Sequence, residues 1–142
     1  MRIPKEILNK PGKLSDEERE VMQRHPSDGA RVLLDSDRQL ELAATVAYEH
    51  HIVIDGGGYP TLRFRRDCHA ASKLVHVCDV YDALRTKRPY RDAWESQRVI
   101  TYMEERAGTE FDSGIVGAFI AMMREWDKRL MRLDAPEDSH WK

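Results

Sequence analysis

The chain has 142 residues, of which 41% are hydrophobic, 34% charged and 8% aromatic, with a formal charge of −2. That length suits one compact domain with a real core and no need of disulfide staples. Near-neutral charge and a pI of about 6.3 exclude a general nucleic-acid binder, whose affinity would come from excess Lys and Arg.

The opening Met1-Arg2-Ile3-Pro4-Lys5-Glu6 has no apolar signal core. Ser15 followed by Asp16, Glu17 and Glu18 is a capping-box signal for a short helix ending near Arg24. Pro26 fits the first turn of a second helix carrying Ala30, Val32, Leu33 and Leu34. Asp35-Ser36-Asp37 breaks it and caps a third, from about Arg38 to His51. From Ile52 to Asp67 the periodicity lapses, and Gly56-Gly57-Gly58 with Pro60 marks a loop.

A long helix is expected from about Cys68 to Arg85, with Leu74, Val75, Val77, Cys78, Tyr81 and Leu84 as its wide apolar face. Cys68 and Cys78 on that helix would stand roughly 15 Å apart, too far to bridge. Reduced thiols and a cytoplasmic setting follow. A turn at Pro89 leads to a helix from Glu95 to about Arg106, ended by Gly108. The last helix starts near Asp112 and carries Ile115, Val116, Phe119, Ile120, Met123 and Trp126. Its apolar stretch, Gly114 to Met123, is about half of the ~20 residues a membrane span needs, so membrane insertion is not expected. No period-two stretch, repeat or linker interrupts the pattern. The expectation is one all-α domain over 1–133 and a polar, fraying tail over 134–142.

His50 falls in line with Val46 and Ala43, and His51 with Ala47, Ala44 and Leu40. These spacings put both rings on the core side of a helix end, where neutral imidazoles can reach a metal. An isolated His-His pair is more often one packed and one solvated side chain. Asp79 favours the metal: it sits within the most apolar stretch of its helix, where a buried carboxylate needs a cation or hydrogen bonds. His25, at a helix junction before Pro26, is a candidate third imidazole.

Asp55-Gly56-Gly57-Gly58-Tyr59-Pro60 lacks the spacing of a Walker loop or dinucleotide fingerprint, and its glycines permit unusual φ or close backbone approach. Arg63, Arg65 and Arg66 form one basic cluster, and Arg85, Lys87, Arg88 and Arg91 another. Such runs are usually solvated faces, but beside a metal they suit phosphate oxygens.

Taken together, these segments resemble the HD-GYP branch of the HD phosphohydrolases, from Ile3 to about Phe119. The carrying motif runs from His50-His51 through Asp55-Gly56-Gly57-Gly58-Tyr59-Pro60. Flanking matches are Ile3 to Gly12, His25-Pro26, Asp79-Val80-Tyr81-Asp82-Ala83-Leu84, Arg88-Pro89-Tyr90-Arg91 and Gly108 to Asp112. The resemblance implies an HD-domain-like helical bundle with a divalent-metal centre, typically iron or manganese, that hydrolyses cyclic di-GMP to pGpG or GMP. It implies His25, His50, His51 and Asp79 as metal ligands, Arg88 and Arg91 on substrate phosphates, and the loop of Asp55, Gly56, Gly58, Tyr59 and Pro60 in substrate or partner contacts.

This chain also departs from the family pattern. The eponymous His-Asp pair normally precedes the segment matching Ile3-Pro4, Ile52 replaces a usual Glu, and Glu110 stands where His is common. What remains fits a single three-histidine metal, with Asp79 in an incomplete second site and the catalytic residues unassigned. Three accounts suit this: a portion of a longer enzyme, a site completed by another chain such as a homodimer partner, or a non-catalytic module. The last would bind cyclic di-GMP or a GGDEF-domain protein through the Gly-Tyr-Pro loop. Retention of all four metal-side positions favours the first.

Overall fold

The computed structural model describes residues 3–64, 66–88 and 91–133. The expected turn at Pro89, Arg65 of the first basic cluster, Tyr90 and the 134–142 tail lie outside the described residues. Among the described residues there are seven α-helices and no strand: α1 (Lys5–Leu8), α2 (Asp16–Met22), α3 (His25–Ser36), α4 (Glu41–Glu49), α5 (Ala70–Arg85), α6 (Ser96–Glu105) and α7 (Ser113–Leu133). The all-α expectation holds. No helix among the described residues is long and apolar enough to cross a membrane.

Short side chains set several of the boundaries. Ser15 Oγ accepts from the Glu18 N–H at 3.3 Å while Glu18 Oε2 accepts from the Ser15 N–H at 2.7 Å, both halves of the capping box. Pro26 stands in the first turn of α3, where no N–H is needed. Asp37 Oδ1 accepts from the Gln39 N–H at 2.9 Å. That local bond tightens the following residues into a 3-10 turn, Arg38–Leu40, so α4 begins only at Glu41 rather than at Arg38. Asp112 Oδ1 accepts from the N–H groups of Gly114 and Ile115, both at 3.1 Å, and starts α7.

The apolar core belongs to the second half of the chain. Val77 of α5, Val99, Ile100 and Met103 of α6, Phe111, and Val116, Phe119 and Ile120 of α7 form one buried cluster. The inward face of α5 is rotated from the expected one. Ser72, His76 and Val77 are buried and Val80, Tyr81 and Leu84 partly so, whereas Leu74, Val75 and Cys78 face solvent. The cause is that α5 is gripped by α4 on one side and by α6 and α7 on others, so position in the bundle, not local apolarity, decides burial. Trp126 of α7 is likewise exposed. Both cysteines are free, with Cys68 just ahead of α5 rather than on it.

Candidate metal centre

Helices α3 and α4 pack against each other across the short 37–40 turn, which brings the start of α3 beside the end of α4. His25 is the first residue of α3, and His50 caps α4 with His51 directly after. Three ligand atoms, one from each histidine, lie within 4.8 Å of one another. The rings of His50 and His51 are 4.1 Å apart between centroids, and His25 is 5.0 Å from His51.

Hydrogen bonds orient two of these imidazoles. His25 Nδ1 lies 2.8 Å from the Met22 carbonyl oxygen, and His50 Nδ1 lies 2.9 Å from that of Ala47. A carbonyl only accepts, so each Nδ1 carries the hydrogen and each Nε2 keeps its lone pair. Those two Nε2 atoms face each other at 3.3 Å. Two lone pairs so placed repel unless a positive group sits before them. Imidazole nitrogens about 2.1 Å from one tetrahedral ion would stand roughly 3.4 Å apart, so the spacing fits a shared divalent cation. Burial, together with His50, His25 and His76 nearby, pushes His51 down to about 3, so its ring stays neutral and able to ligate.

Asp79 is not where its apolar neighbours suggested. Its side chain is 49% exposed, with Oδ2 4.0 Å from His51 Nδ1. The carboxylate reaches solvent, because α5 turns this position away from the core. It nonetheless stands beside the cluster.

The glycine loop folds back onto the backbone of the histidine pair. Gly58 has φ +78°, and a Cβ there would lie 2.1 Å from the His51 carbonyl oxygen, so only glycine fits. The Tyr59 N–H donates to that same oxygen at 3.1 Å. Asp55 Oδ1 accepts from the Gly57 N–H at 2.8 Å, and Gly56 takes φ +91°, shaping an exposed tip. The Tyr59 ring stacks 4.5 Å from His51, tilted 33°, ahead of a cis Tyr59-Pro60 bond. Burial, and then the Asp79 charge, raises the Tyr59 hydroxyl above the usual tyrosine range.

A cleft of about 690 Å³ opens on this cluster, lined by His25, His51, Tyr59, Asp79 and Arg88, and by Lys10, Lys13 and Arg19 from the α1–α2 segment. Lys10 pairs with Glu18. The other expected basic residues have other partners. Arg91 donates to the Ala83 carbonyl at 2.6 Å and sits over Trp94, Arg85 donates to the Trp94 carbonyl, and Lys87 pairs with Asp92. Arg66 is bound to Glu49 at 2.7 Å, and Arg63 lies over Phe64.

Two residues escaped the sequence reading. Glu49, 2% exposed, accepts from Arg66, from Ser72 Oγ at 2.7 Å and from the His69 N–H at 2.9 Å, tying the end of α4 to the start of α5. His76 is buried on α5 and reaches the His50 carbonyl. No local pattern marks either residue, because their partners come from other parts of the chain.

Residues 1–115 match the family model described as HD domain. The chain is 42% identical over 120 residues to a protein of Pseudomonas aeruginosa named cyclic di-GMP phosphodiesterase PA4108, covering 84% of this chain and 29% of that one. It is 38% identical over 119 residues to the cyclic di-GMP phosphodiesterase response regulator RpfG of Xanthomonas campestris pv. campestris, covering 83% and 32%. With the 3'3'-cGAMP-specific phosphodiesterase 2 of Vibrio cholerae it shares 34% over 127 residues, covering 89% and 24%. The chain therefore spans roughly a quarter to a third of the length of these relatives.

Proposed function

The chain belongs to the HD-domain family, in its HD-GYP branch, and from that premise we propose that it is a metal-dependent phosphohydrolase domain that opens cyclic di-GMP to pGpG or GMP. Divalent-metal dependence goes with the HD-domain family, and the three-histidine cluster is where a cation fits this chain. The observation that carries the reading is the pair of facing Nε2 atoms of His25 and His50, 3.3 Å apart, beside a cleft lined by His25, His51 and several cationic side chains. Iron or manganese is our choice of metal, because the set combines imidazoles with a carboxylate, Asp79, at its edge.

When bound, such a cation supplies Lewis-acid stabilisation of phosphoryl oxygens and a lowered pKa for attacking water. The chain's own residues bind and orient. Arg88, Lys13 and Arg19 line the cleft, make no ion pair among the described residues, and stand ready for the two phosphodiesters of a cyclic dinucleotide. Tyr59 offers a ring edge and hydroxyl beside His51. With Arg91 donating to the Ala83 carbonyl, its support of substrate runs through Arg88, whose N–H donates to the Arg91 carbonyl at 2.8 Å. The free thiols of Cys68 and Cys78 suit the cytoplasm, where this nucleotide would be met.

The test is metal content after anaerobic purification, with turnover of cyclic di-GMP followed by chromatography. His50→Ala or His51→Ala should deplete iron or manganese. A wild-type chain that takes up neither would sink the metal centre. A second reading, a regulatory module contacting a GGDEF-domain partner, draws on the exposed loop tip from Asp55 to Gly58. It expects Tyr59→Ala to weaken partner binding, and turnover by the chain alone would reject it.

A further inference from the structure

His76 is the buried histidine that no ligand role accounts for. It is 6% exposed, and its ring packs on Phe111 with centroids 5.3 Å apart. Its Nδ1 lies 2.8 Å from the His50 carbonyl oxygen and, facing an acceptor, must donate. His50 caps α4, where the terminal carbonyls have no partner within the helix. The next carbonyl, that of His51, is taken by the Tyr59 N–H. Two successive carbonyls of the ligand pair are thus clamped from different sides, one by α5 and one by the glycine loop.

The far side of the ring is equally informative. His76 Nε2 is buried with no hydrogen-bond partner among the described residues, 3.8 Å from Glu110 Oε1. A buried imidazole with one nitrogen left without a hydrogen bond calls for a reason, and its other nitrogen provides one. Glu110 is itself held: its Oε2 accepts from Tyr102 Oη at 3.3 Å and lies 3.5 Å from Arg106 Nε. Its backbone carbonyl accepts from the Ile54 N–H at 3.3 Å, and that of Thr109 from the Asp55 N–H at 2.9 Å, anchoring the root of the glycine loop.

Building on the metal-centre reading, we propose that His76 is a positioning residue: its Nδ1–H fixes the last turn of α4 and thereby aims the His50 and His51 rings at the shared cation. It touches neither metal nor substrate. Its effect passes through the backbone of His50.

Two variants of the full chain test this, His76→Leu, which keeps bulk without a donor, and His76→Asn, which keeps an N–H near the Nδ1 position. In the metal-free protein, the imidazole nitrogen resonances of His50 and His51 should stay in place in His76→Asn and shift or broaden in His76→Leu. Manganese(II) affinity, measured by calorimetry, should fall about ten- to a hundredfold in His76→Leu and stay within about threefold in His76→Asn. A folded His76→Leu with wild-type resonances and affinity overturns the proposal. So do equal losses in both variants, which would mean that ring packing matters and the hydrogen bond does not. If His76→Leu does not fold, His76→Gln, whose amide reaches one methylene further, takes its place, and affinity equal to that of His76→Asn overturns the idea. A wild-type chain that binds no manganese(II) removes the metal-centre reading, while the resonances of the metal-free variants still decide the role of His76.

Discussion

Helices α5 to α7 bury Val77, Val99, Ile100, Met103, Phe111, Val116, Phe119 and Ile120 against one another. Helices α3 and α4, by contrast, bury Pro26, Ala30, Ala44 and the Glu49 carboxylate, and leave Val32, Leu34 and Leu42 in solvent. The candidate site lies on the first, poorer half, that of α3 and α4. His25, His50 and His51 stand at helix ends, where apolar packing fixes little. Their placement depends instead on polar ties to the packed half: His76 to the His50 carbonyl, and Ser72 and the His69 N–H to Glu49. The difference teaches that fold stability and site geometry have separate sources here, one apolar and one hydrogen-bonded.

The largest expected effect breaks the packed half. Ile100→Ala removes a side chain that is 1% exposed and should cost about 2–5 kcal/mol. Denaturant melts should record that loss, while manganese(II) affinity measured well below the melt should stay close to wild type. A parallel loss of affinity would show that the two halves are not separable.

Gly58→Ala attacks the other half through its backbone. The new Cβ meets the His51 carbonyl oxygen at 2.1 Å, and left-handed φ alone costs a side chain roughly 1–2 kcal/mol. The chain must open where the loop touches the histidine pair, so metal affinity should fall together with stability. Gly57→Ala is the control, since that position has no positive φ and its Cβ would only press on Asp55 and Val53 at 3.1–3.2 Å. Equal effects of the two changes would contradict the close approach at Gly58.

How much of this was legible follows from the same contrast. Features written in local chemistry read well: the Ser15 capping box, Pro26, the Asp112 cap and the glycine that ends the turn after α6 are short-range physics. The His50-His51 pair was legible by helical spacing, and the family motifs tied it to His25. Features decided by the bundle were not. Asp79 looked buried because its neighbours are apolar, yet the position of α5 between α4 and α6–α7 turns it outward. The family resemblance put Arg91 on substrate phosphates; that one arm of its guanidinium donates to the Ala83 carbonyl near the end of α5 is set by packing and was not readable beforehand. Glu49 and His76 drew no attention, because a buried polar group is recognised by its partners and these come from distant parts of the chain.

A smaller effect separates electrostatics from packing within the core half. Asp112 lies below the usual carboxylate range, chiefly because the Ile115 N–H donates to its ionised form, with Lys73 adding to this. A folded pKa below the unfolded one means that its contribution is complete above about pH 4. As pH falls further it is lost, because the unfolded chain binds the proton first. Asp112→Ala should therefore cost about 1 kcal/mol at neutral pH, the usual value of such a cap, and much less at pH 3. Urea melts at both pH values check this, and a cost independent of pH would assign the loss to something other than the ionised cap.

The smallest expected effect tests the contrast where it is most literal. Val32 on α3 is 58% exposed, and Val99 on α6 is fully buried. Both are valines inside helices, so alanine relieves the same χ1 restriction in each and gains the same helix propensity. At Val32 that gain offsets the little packing removed, and Val32→Ala should change stability by no more than about 0.5 kcal/mol. At Val99 the identical change leaves a void among Ile100, Met103 and Phe111, and should cost several times as much. Because the chemistry cancels between the two sites, the difference measures burial alone. A cost at Val32 approaching that at Val99 would mean that the α3–α4 face is covered in solution, and the histidine-bearing half would then owe its stability to packing after all.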